Sequence, residues 1–196
     1  MTDRRAQAHT LEALAAGILL LSSLLFALQV TAVTPLTGST SSQHIENQQA
    51  SIADGILASE AANGTLKPTT LHWNASGSDW HGATSDGYPL GGPPTPFGTV
   101  LNETLADRGI AFNVNVYYTR SDERRRIRMV YLGQPSDHAS VATRTVTLYD
   151  DDELLDADRN PTGTTVSETT EFYAPDASPD SPLYNVVEVE VVAWRM

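Results

Sequence analysis

The sequence predicts an α+β protein in which a long N-terminal helix, first transmembrane and then amphipathic, packs on a C-terminal antiparallel β-sheet head. Residues 14–33 form an apolar stretch without a formal charge, and short strand-like segments follow residue 64. The 196 residues include 24 Asp and Glu, 12 Lys and Arg and no Cys, which gives a net charge of −12. This composition excludes disulfides and thiolate metal sites, and it argues against nucleic acid as a partner, because nucleic acid favours clustered cations.

The apolar stretch at residues 14–33 has the length of a membrane-spanning helix, about 30 Å at 1.5 Å per residue. Arg4 and Arg5 precede it, and the next Lys or Arg is Lys67. The positive-inside rule therefore predicts a cytoplasmic leader at residues 1–13 and an extracellular C-terminal domain on a single-pass protein of the cell membrane. The alternative is a secretory signal peptide, cleaved near residues 30–32, that releases an exported protein.

A helical pattern continues beyond the predicted membrane segment, over residues 34–64. Apolar residues recur there at approximately helical spacing: Ile45, Ile52, Ile56 and Leu57. Asn63-Gly64 is a typical helix end, and Pro35 and Gly38 predict a kink where the chain leaves the lipid. The pattern favours one long interrupted helix whose second half is an amphipathic extension. Two helices with a flexible break at residues 35–42 are the alternative.

Residues 65–196 are predicted to form a β-rich extracellular head. The segments with strand character are residues 69–73, 110–119, 126–132, 140–149, 166–173 and 184–194. In the last of them, Val187 and Val189 alternate with Glu188 and Glu190, which is typical of a half-buried antiparallel strand. Residues 99–108 favour a short helix on the sheet, and residues 87–98, rich in Pro and Gly, favour a loop.

The N-terminal residues 4–12, RRAQAHTLE, precede the apolar run, and this arrangement resembles the N-terminus of archaeal type IV pilins and pilin-like proteins. With the acidic composition, the chain looks most like haloarchaeal pilin-like membrane proteins. The resemblance implies a prepilin-processing motif at Arg5, Ala6 and Gln7, and an assembly role for Glu12. It also implies that the partners are the membrane, other pilin-like subunits, prepilin peptidase and the assembly platform.

The function we expect is that of a pilin-like structural subunit of a type IV pilus-like cell-surface filament or of its assembly machinery. The alternative is a single-pass, membrane-anchored extracellular protein that binds a ligand and does not assemble into filaments. The sequence has no G-x-S-x-G, phosphate-binding loop, paired-histidine metal motif or dinucleotide fingerprint. We therefore expect no enzymatic activity and no cofactor other than calcium as a weak candidate.

Two kinds of motif mark candidate sites in the head. Three N-x-S/T sequons predict N-glycosylation at Asn63, Asn74 and Asn102, and hence a glycoprotein. Asp156, Asp158 and Asn160 have the D-x-D-x-N start of a calcium-binding loop. An EF-hand has Gly at its sixth position and Glu at its twelfth, and this chain has Pro and Ser there, so a solvated turn is the alternative.

Two further clusters combine polar and aromatic residues. His72-Trp73 and Trp80-His81 flank a short polar segment and could bind a metal or stack on a sugar. The other interpretation is a loop held in place by its aromatic residues. Five arginines lie close together at positions 120, 124, 125, 126 and 128. They form either a docking patch for an acidic neighbouring subunit or a local balance for nearby acidic residues.

Overall fold

The computed structural model describes residues 3–195, with side chains described for residues 9–28 and 43–195. The chain divides into two compact units, Met1–Ile45 and Glu46–Met196, which are treated separately below. The first unit is helical, and the second combines the end of that helix with the β-strands. The predicted α+β class is confirmed.

The first helix, α1, extends from Asp3 to Ala62, and its backbone is helical throughout. It contains one segment that is long and apolar enough to cross a membrane, His9–Leu28, with a mean hydropathy of 2.2. The predicted span at residues 14–33 overlaps this segment. Three predictions involve side chains outside the described residues: the last residues of the predicted span, 29–33, the cleavage site at 30–32, and the kink at Pro35 and Gly38.

The end of α1 lies where Asn63-Gly64 predicts it. Gly64 has φ +72°, a left-handed conformation that glycine adopts without steric cost. The backbone N–H of Thr65 then donates to the Glu60 carbonyl at 3.0 Å, which satisfies one of the free carbonyls of the last turn. Within the second unit, Ala53 and Leu57 of α1 are fully buried in the core, so this part of the helix is a structural element of the head.

Two short helices and eight strands complete the head. The helices are α2 (Leu66–Thr70) and α3 (Pro96–Thr104); the strands are β1 (Trp73–Asn74), β2 (Asp79–Trp80), β3 (Ile110–Arg120), β4 (Glu123–Tyr131), β5 (Ser140–Tyr149), β6 (Glu153–Leu155), β7 (Pro161–Thr165) and β8 (Leu183–Arg195). The main sheet is antiparallel, with strand order β4-β3-β8-β5. β1 and β2 form one small ladder, and β6 and β7 form another.

The core lies on one face of the main sheet. Val114 pairs with Val191 and Val116 with Val189, and all four side chains are buried there. Phe97 of α3 and Leu57 of α1 belong to the same apolar cluster. The period-2 alternation of β3 and β8 therefore gives the sheet one buried face and one polar face, as the sequence of β8 predicts.

Two of the predicted strands are wrong. In place of a strand at residues 69–73, Thr69 and Thr70 belong to α2, and the Thr70 hydroxyl donates to the Lys67 carbonyl at 2.7 Å within the same turn. In place of a strand at residues 166–173, a 3₁₀ turn, Val166–Glu168, is followed by irregular backbone. The short strands β2, β6 and β7 were not predicted. The predicted helix at residues 99–108 begins earlier, as α3, and ends in a second 3₁₀ turn, Ala106–Arg108.

Candidate functional sites

The apolar segment of α1 exposes nearly all of its large side chains. Ten of them are between 57% and 71% exposed: Leu11, Leu14, Ile18, Leu19, Leu20, Leu21, Leu24, Leu25, Phe26 and Leu28. Gly17 has no neighbouring atom within 4 Å of an added Cβ, so another helix could approach this position closely. Such a surface is unfavourable in water over this length and is compatible with a single-pass membrane anchor.

Glu12 lies at the start of this segment and is 80% exposed. Its carboxylate is 3.7 Å from Nδ1 of His9, one turn earlier on the same helix. This contact is long for an ion pair, and it forms only when the histidine is protonated. The 80% exposure of Glu12 leaves its carboxylate accessible to another group. The side chains of the processing motif Arg5, Ala6 and Gln7 lie outside the described residues.

The three sequon asparagines have different surroundings. Asn63 is exposed at the end of α1, and its Nδ2 makes only a 3.4 Å contact with the Ser59 hydroxyl. Asn74 and Asn102 are half-buried, and each uses Oδ1 to accept a backbone N–H, from Gly77 at 3.3 Å and from Gly92 at 2.8 Å. Asn63 is therefore the most accessible of the three.

The calcium-like segment forms a turn that uses its own backbone donors. Oδ1 of Asp156 accepts the N–H groups of Asp158 at 2.9 Å and Asn160 at 2.8 Å. These hydrogen bonds, led by the one from Asn160, lower the pKa of Asp156. Arg159 occupies the left-handed region of the turn, with φ +69°. Among the described residues, no three His, Cys, Asp or Glu side chains group as metal ligands.

The arginine cluster is largely paired within the head. Arg124 lies 2.5 Å from Glu188 and over the ring of Tyr117, at 3.5 Å from its centroid. Arg125 pairs with Glu123 at 2.5 Å, and Arg128 is 3.5 Å from Asp86. These contacts favour the charge-balance interpretation for three of the five arginines.

The predicted His-Trp and Trp-His segments come together as one aromatic cluster. Trp73 pairs with Trp80 across the β1–β2 ladder, and their ring centroids are 5.2 Å apart in an edge-to-face arrangement. Tyr173 completes the cluster at 5.3 and 5.2 Å from the two tryptophans. Both tryptophans are at most 4% exposed, so their faces are core surface and are not available for stacking on a sugar.

The two histidines lie beside this cluster and contact each other. The rings of His72 and His81 are 4.9 Å apart between centroids and tilted by 51°. Burial lowers the pKa of His72 below its ordinary value of 6.5; a hydrogen bond to the Ala157 carbonyl acts in the opposite direction, and the nearby His81 and Arg159 lower it further. His72 is therefore neutral at pH 7.

The head also contains an open cavity of about 370 Å³. Buried aromatic residues Phe172, Tyr173 and Tyr184 line it, together with Arg120 and several hydroxyl side chains. Burial raises the pKa of Tyr184 to about 12, and its hydroxyl donates to the Ala174 carbonyl at 2.8 Å, so this tyrosine is a neutral part of the wall. The cavity therefore combines aromatic side chains with one cationic side chain, Arg120, and one anionic side chain, Asp176.

The sequence reasoning missed Asn185, a completely buried side chain on β8. Its Nδ2 donates to the carbonyls of Thr119 at 2.9 Å and Pro175 at 2.8 Å, and its Oδ1 accepts the Thr119 N–H at 3.2 Å. It connects the end of β3 to the segment that lines the cavity. A polar residue on the otherwise apolar face of β8 was the signal that could have identified it.

The chain matches the model of a family of unknown function (DUF7288) over residues 5–193. A search of curated proteins found no match, and a search of solved structures found none either. The family match includes the apolar segment of α1 and almost the whole head. Because it covers far more than half of the sequence, the chain belongs to the DUF7288 family.

Proposed function

We propose that this protein is a pilin-like structural subunit, anchored in the cell membrane by the apolar segment of α1. The observation that carries the proposal is the exposure of ten large apolar side chains within His9–Leu28. In a filament, the same surface would pack against the corresponding helices of neighbouring subunits. An α-helix whose last turns are buried against an antiparallel sheet is also the layout that the pilin resemblance implies.

The proposed orientation follows from the charges at the ends of the apolar segment. Arg4 and Arg5 precede it and would stay in the cytoplasm, and the acidic head would face the outside. A net charge of −12 with a single lysine supports an exterior of strong salt, in which carboxylates remain hydrated and fixed charges are screened. An external head would also allow glycosylation, first at the exposed Asn63.

Glu12 would have its role in assembly. A carboxylate at the edge of an apolar helix needs a partner once neighbouring helices and lipid exclude water. A free N-terminal amine created by cleavage before Gln7 would supply that partner from an adjacent subunit. The Glu12 side chain is 80% exposed and its contact with His9 is long, at 3.7 Å, so its carboxylate is accessible for such a pairing.

The first test is mass spectrometry of the N-terminus of the protein isolated from membranes. A start at Gln7 or Ala8 supports prepilin processing, whereas a start at Val33 would mean secretion after signal-peptide cleavage. The second test compares Glu12→Ala with Glu12→Asp. We expect Glu12→Ala to remove filaments while the protein stays in the membrane, and Glu12→Asp, which keeps the charge, to retain them. Normal filaments from Glu12→Ala would contradict the proposed role of Glu12.

The 370 Å³ cavity favours a second candidate function, that of a membrane-anchored surface protein that binds a ligand. The guanidinium of Arg120 and the carboxylate of Asp176, beside aromatic and hydroxyl side chains, suit a small ligand that carries both a carboxylate and a hydrogen-bond donor. This candidate predicts an intact N-terminus, retention in the membrane and no filaments. It also predicts that Arg120→Gln abolishes binding of that ligand.

A further inference from the structure

The small β1–β2 ladder brings two histidines into contact. Trp73 pairs with Trp80, His72 directly precedes β1, and His81 directly follows β2. The two imidazoles therefore meet at the open end of the ladder, with ring centroids 4.9 Å apart. The side chain of His72 is 1% exposed.

The hydrogen bonds of the two rings fix which nitrogen carries the proton. Nε2 of His72 is 3.4 Å from the Ala157 carbonyl oxygen, and Nε2 of His81 is 3.0 Å from the Leu155 carbonyl oxygen. A carbonyl can only accept, so each Nε2 carries the hydrogen and each neutral ring keeps its lone pair on Nδ1. The two histidines therefore share one tautomer and present the same kind of nitrogen.

Nδ1 of His72 is buried and has no hydrogen-bond partner among the described residues. Leaving such an acceptor unpaired is destabilising, and an unpaired buried group in a folded protein calls for an explanation. Metal-binding histidines characteristically donate the other ring N–H to a backbone carbonyl, which fixes the tautomer and orients the ring. Both His72 and His81 have this second hydrogen bond in place.

We propose that Nδ1 of His72 and Nδ1 of His81 bind one first-row divalent cation of the type that prefers imidazole, such as Zn²⁺, Ni²⁺ or Cu²⁺. A cavity of about 220 Å³, lined by His81 and Asp156, reaches the pair from the His81 side and would provide entry and space for water ligands. Among the described residues, no third His, Cys, Asp or Glu completes a cluster with them. The site is therefore a two-histidine clamp with open positions: the cation joins His72 to His81, and the Nε2 hydrogen bonds join both rings to the loop at residues 155–157.

The test titrates metal-free, full-length protein in detergent with Zn²⁺ alone and measures the stoichiometry and the melting temperature. His81→Gln is the main variant, since the glutamine Nε2 can still donate to the Leu155 carbonyl while the Nδ1 lone pair is lost. His138→Gln is the matched control: His138 is an exposed histidine that contacts Glu46 at 2.6 Å. We expect one equivalent of zinc and a raised melting temperature in the wild type and in His138→Gln.

In His81→Gln we expect both the bound zinc and the thermal shift to be lost, while the metal-free melting temperature stays close to that of the wild type. Because His72→Gln could disturb the core, a spectroscopic measurement replaces it. With ¹⁵N-labelled histidine, zinc should shift the Nδ1 resonances of two rings in the wild type. Failure of zinc to bind, or binding that His81→Gln leaves unchanged, would overturn the proposal. Neither result depends on whether the protein forms filaments.

Discussion

Replacing both Ile18 and Leu19 by arginine places two charges near the middle of the apolar segment His9–Leu28. At 1.5 Å per residue, these 20 residues span about 30 Å, the thickness of the hydrocarbon core. At the centre of a membrane helix, an apolar residue such as Ile or Leu contributes about −0.3 to −0.6 kcal/mol, and Arg about +2.5 to +3.5 kcal/mol. Each substitution therefore costs about 3–4 kcal/mol, and the pair about 6–8 kcal/mol.

The remaining apolar side chains set the size of the expected effect. The other eight large apolar residues of the segment contribute roughly −2 to −5 kcal/mol on the same scale, even when all of them count as central. The cost of the two arginines exceeds this contribution. We therefore expect the double variant to lose stable insertion.

The assay is the fraction of protein that remains in the membrane pellet after an alkaline wash. The matched control places two arginines at His9 and Leu11, at the end of the same segment, where charged side chains reach the interface at little cost. We expect this control to stay in the pellet and the Ile18→Arg, Leu19→Arg variant to leave it or to be degraded. Retention of the double variant at the wild-type level would refute the assignment of His9–Leu28 as the membrane span.

Three further predictions concern the head. Asn185→Leu should lower the free energy of unfolding by about 3 kcal/mol in chemical denaturation, because it leaves the backbone groups of Thr119 and the Pro175 carbonyl unpaired. Hydrogen bonds from Thr165, first from its backbone N–H, lower the pKa of Glu168, so its stabilisation is present above the ordinary pKa of 4.5 and is lost as the pH falls through the folded-state pKa. The stability difference between the wild type and Glu168→Gln should shrink accordingly in melts between neutral and acidic pH. Calcium added to metal-free protein at constant ionic strength should leave the melting temperature unchanged, because backbone N–H groups already occupy Oδ1 of Asp156.

The strands of the main sheet could be predicted because their signal is local. Strands β3, β5 and β8 each contain a stretch of alternating polarity, at residues 113–116, 145–148 and 187–190. Their observed bounds, Ile110–Arg120, Ser140–Tyr149 and Leu183–Arg195, lie within one residue of the predicted ones. The helix end at Asn63-Gly64 was predictable for the same reason, since a glycine with positive φ is a local requirement. The apolar segment depends only on composition over about 20 residues.

The incorrect strands fail because distant contacts decide their conformation. The segment after Val166 does not form a strand, because its side chains and carbonyls form hydrogen bonds with residues far away in the sequence. The Tyr173 hydroxyl donates to the Thr70 carbonyl at 3.2 Å, and Trp73 Nε1 donates to the Glu171 carbonyl at 2.7 Å. Residue spacing alone carries no information about such pairs, which lie about a hundred positions apart in sequence.

The histidine pair shows what a sequence motif cannot reveal when the pairing of its two strands is unknown. The sequence shows two His-Trp segments in mirror order, and it leaves open a metal site, a sugar contact or a loop held in place by aromatic residues. It does not show that the tryptophans face the core while the imidazoles meet at the end of the ladder. It also does not show that the carbonyls of Leu155 and Ala157 fix the tautomers, since that loop lies more than seventy residues away.

A substitution at Leu57 distinguishes the two roles of apolar side chains in α1, which are packing in the head and insertion into the membrane. Its side chain is fully buried in the head, whereas those of His9–Leu28 are exposed, so Leu57→Ala should cost the head about 2–5 kcal/mol of unfolding free energy and leave membrane partitioning unchanged. The arginine substitutions at Ile18 and Leu19 should do the reverse, because neither residue belongs to the core of the head. Leu57 belongs to the unit Glu46–Met196, so the loss in Leu57→Ala is expected even if the helix is interrupted at residues 35–42. An unchanged free energy of unfolding in Leu57→Ala, measured by denaturation of the full-length protein, would contradict the inference that the end of α1 is a structural element of the head.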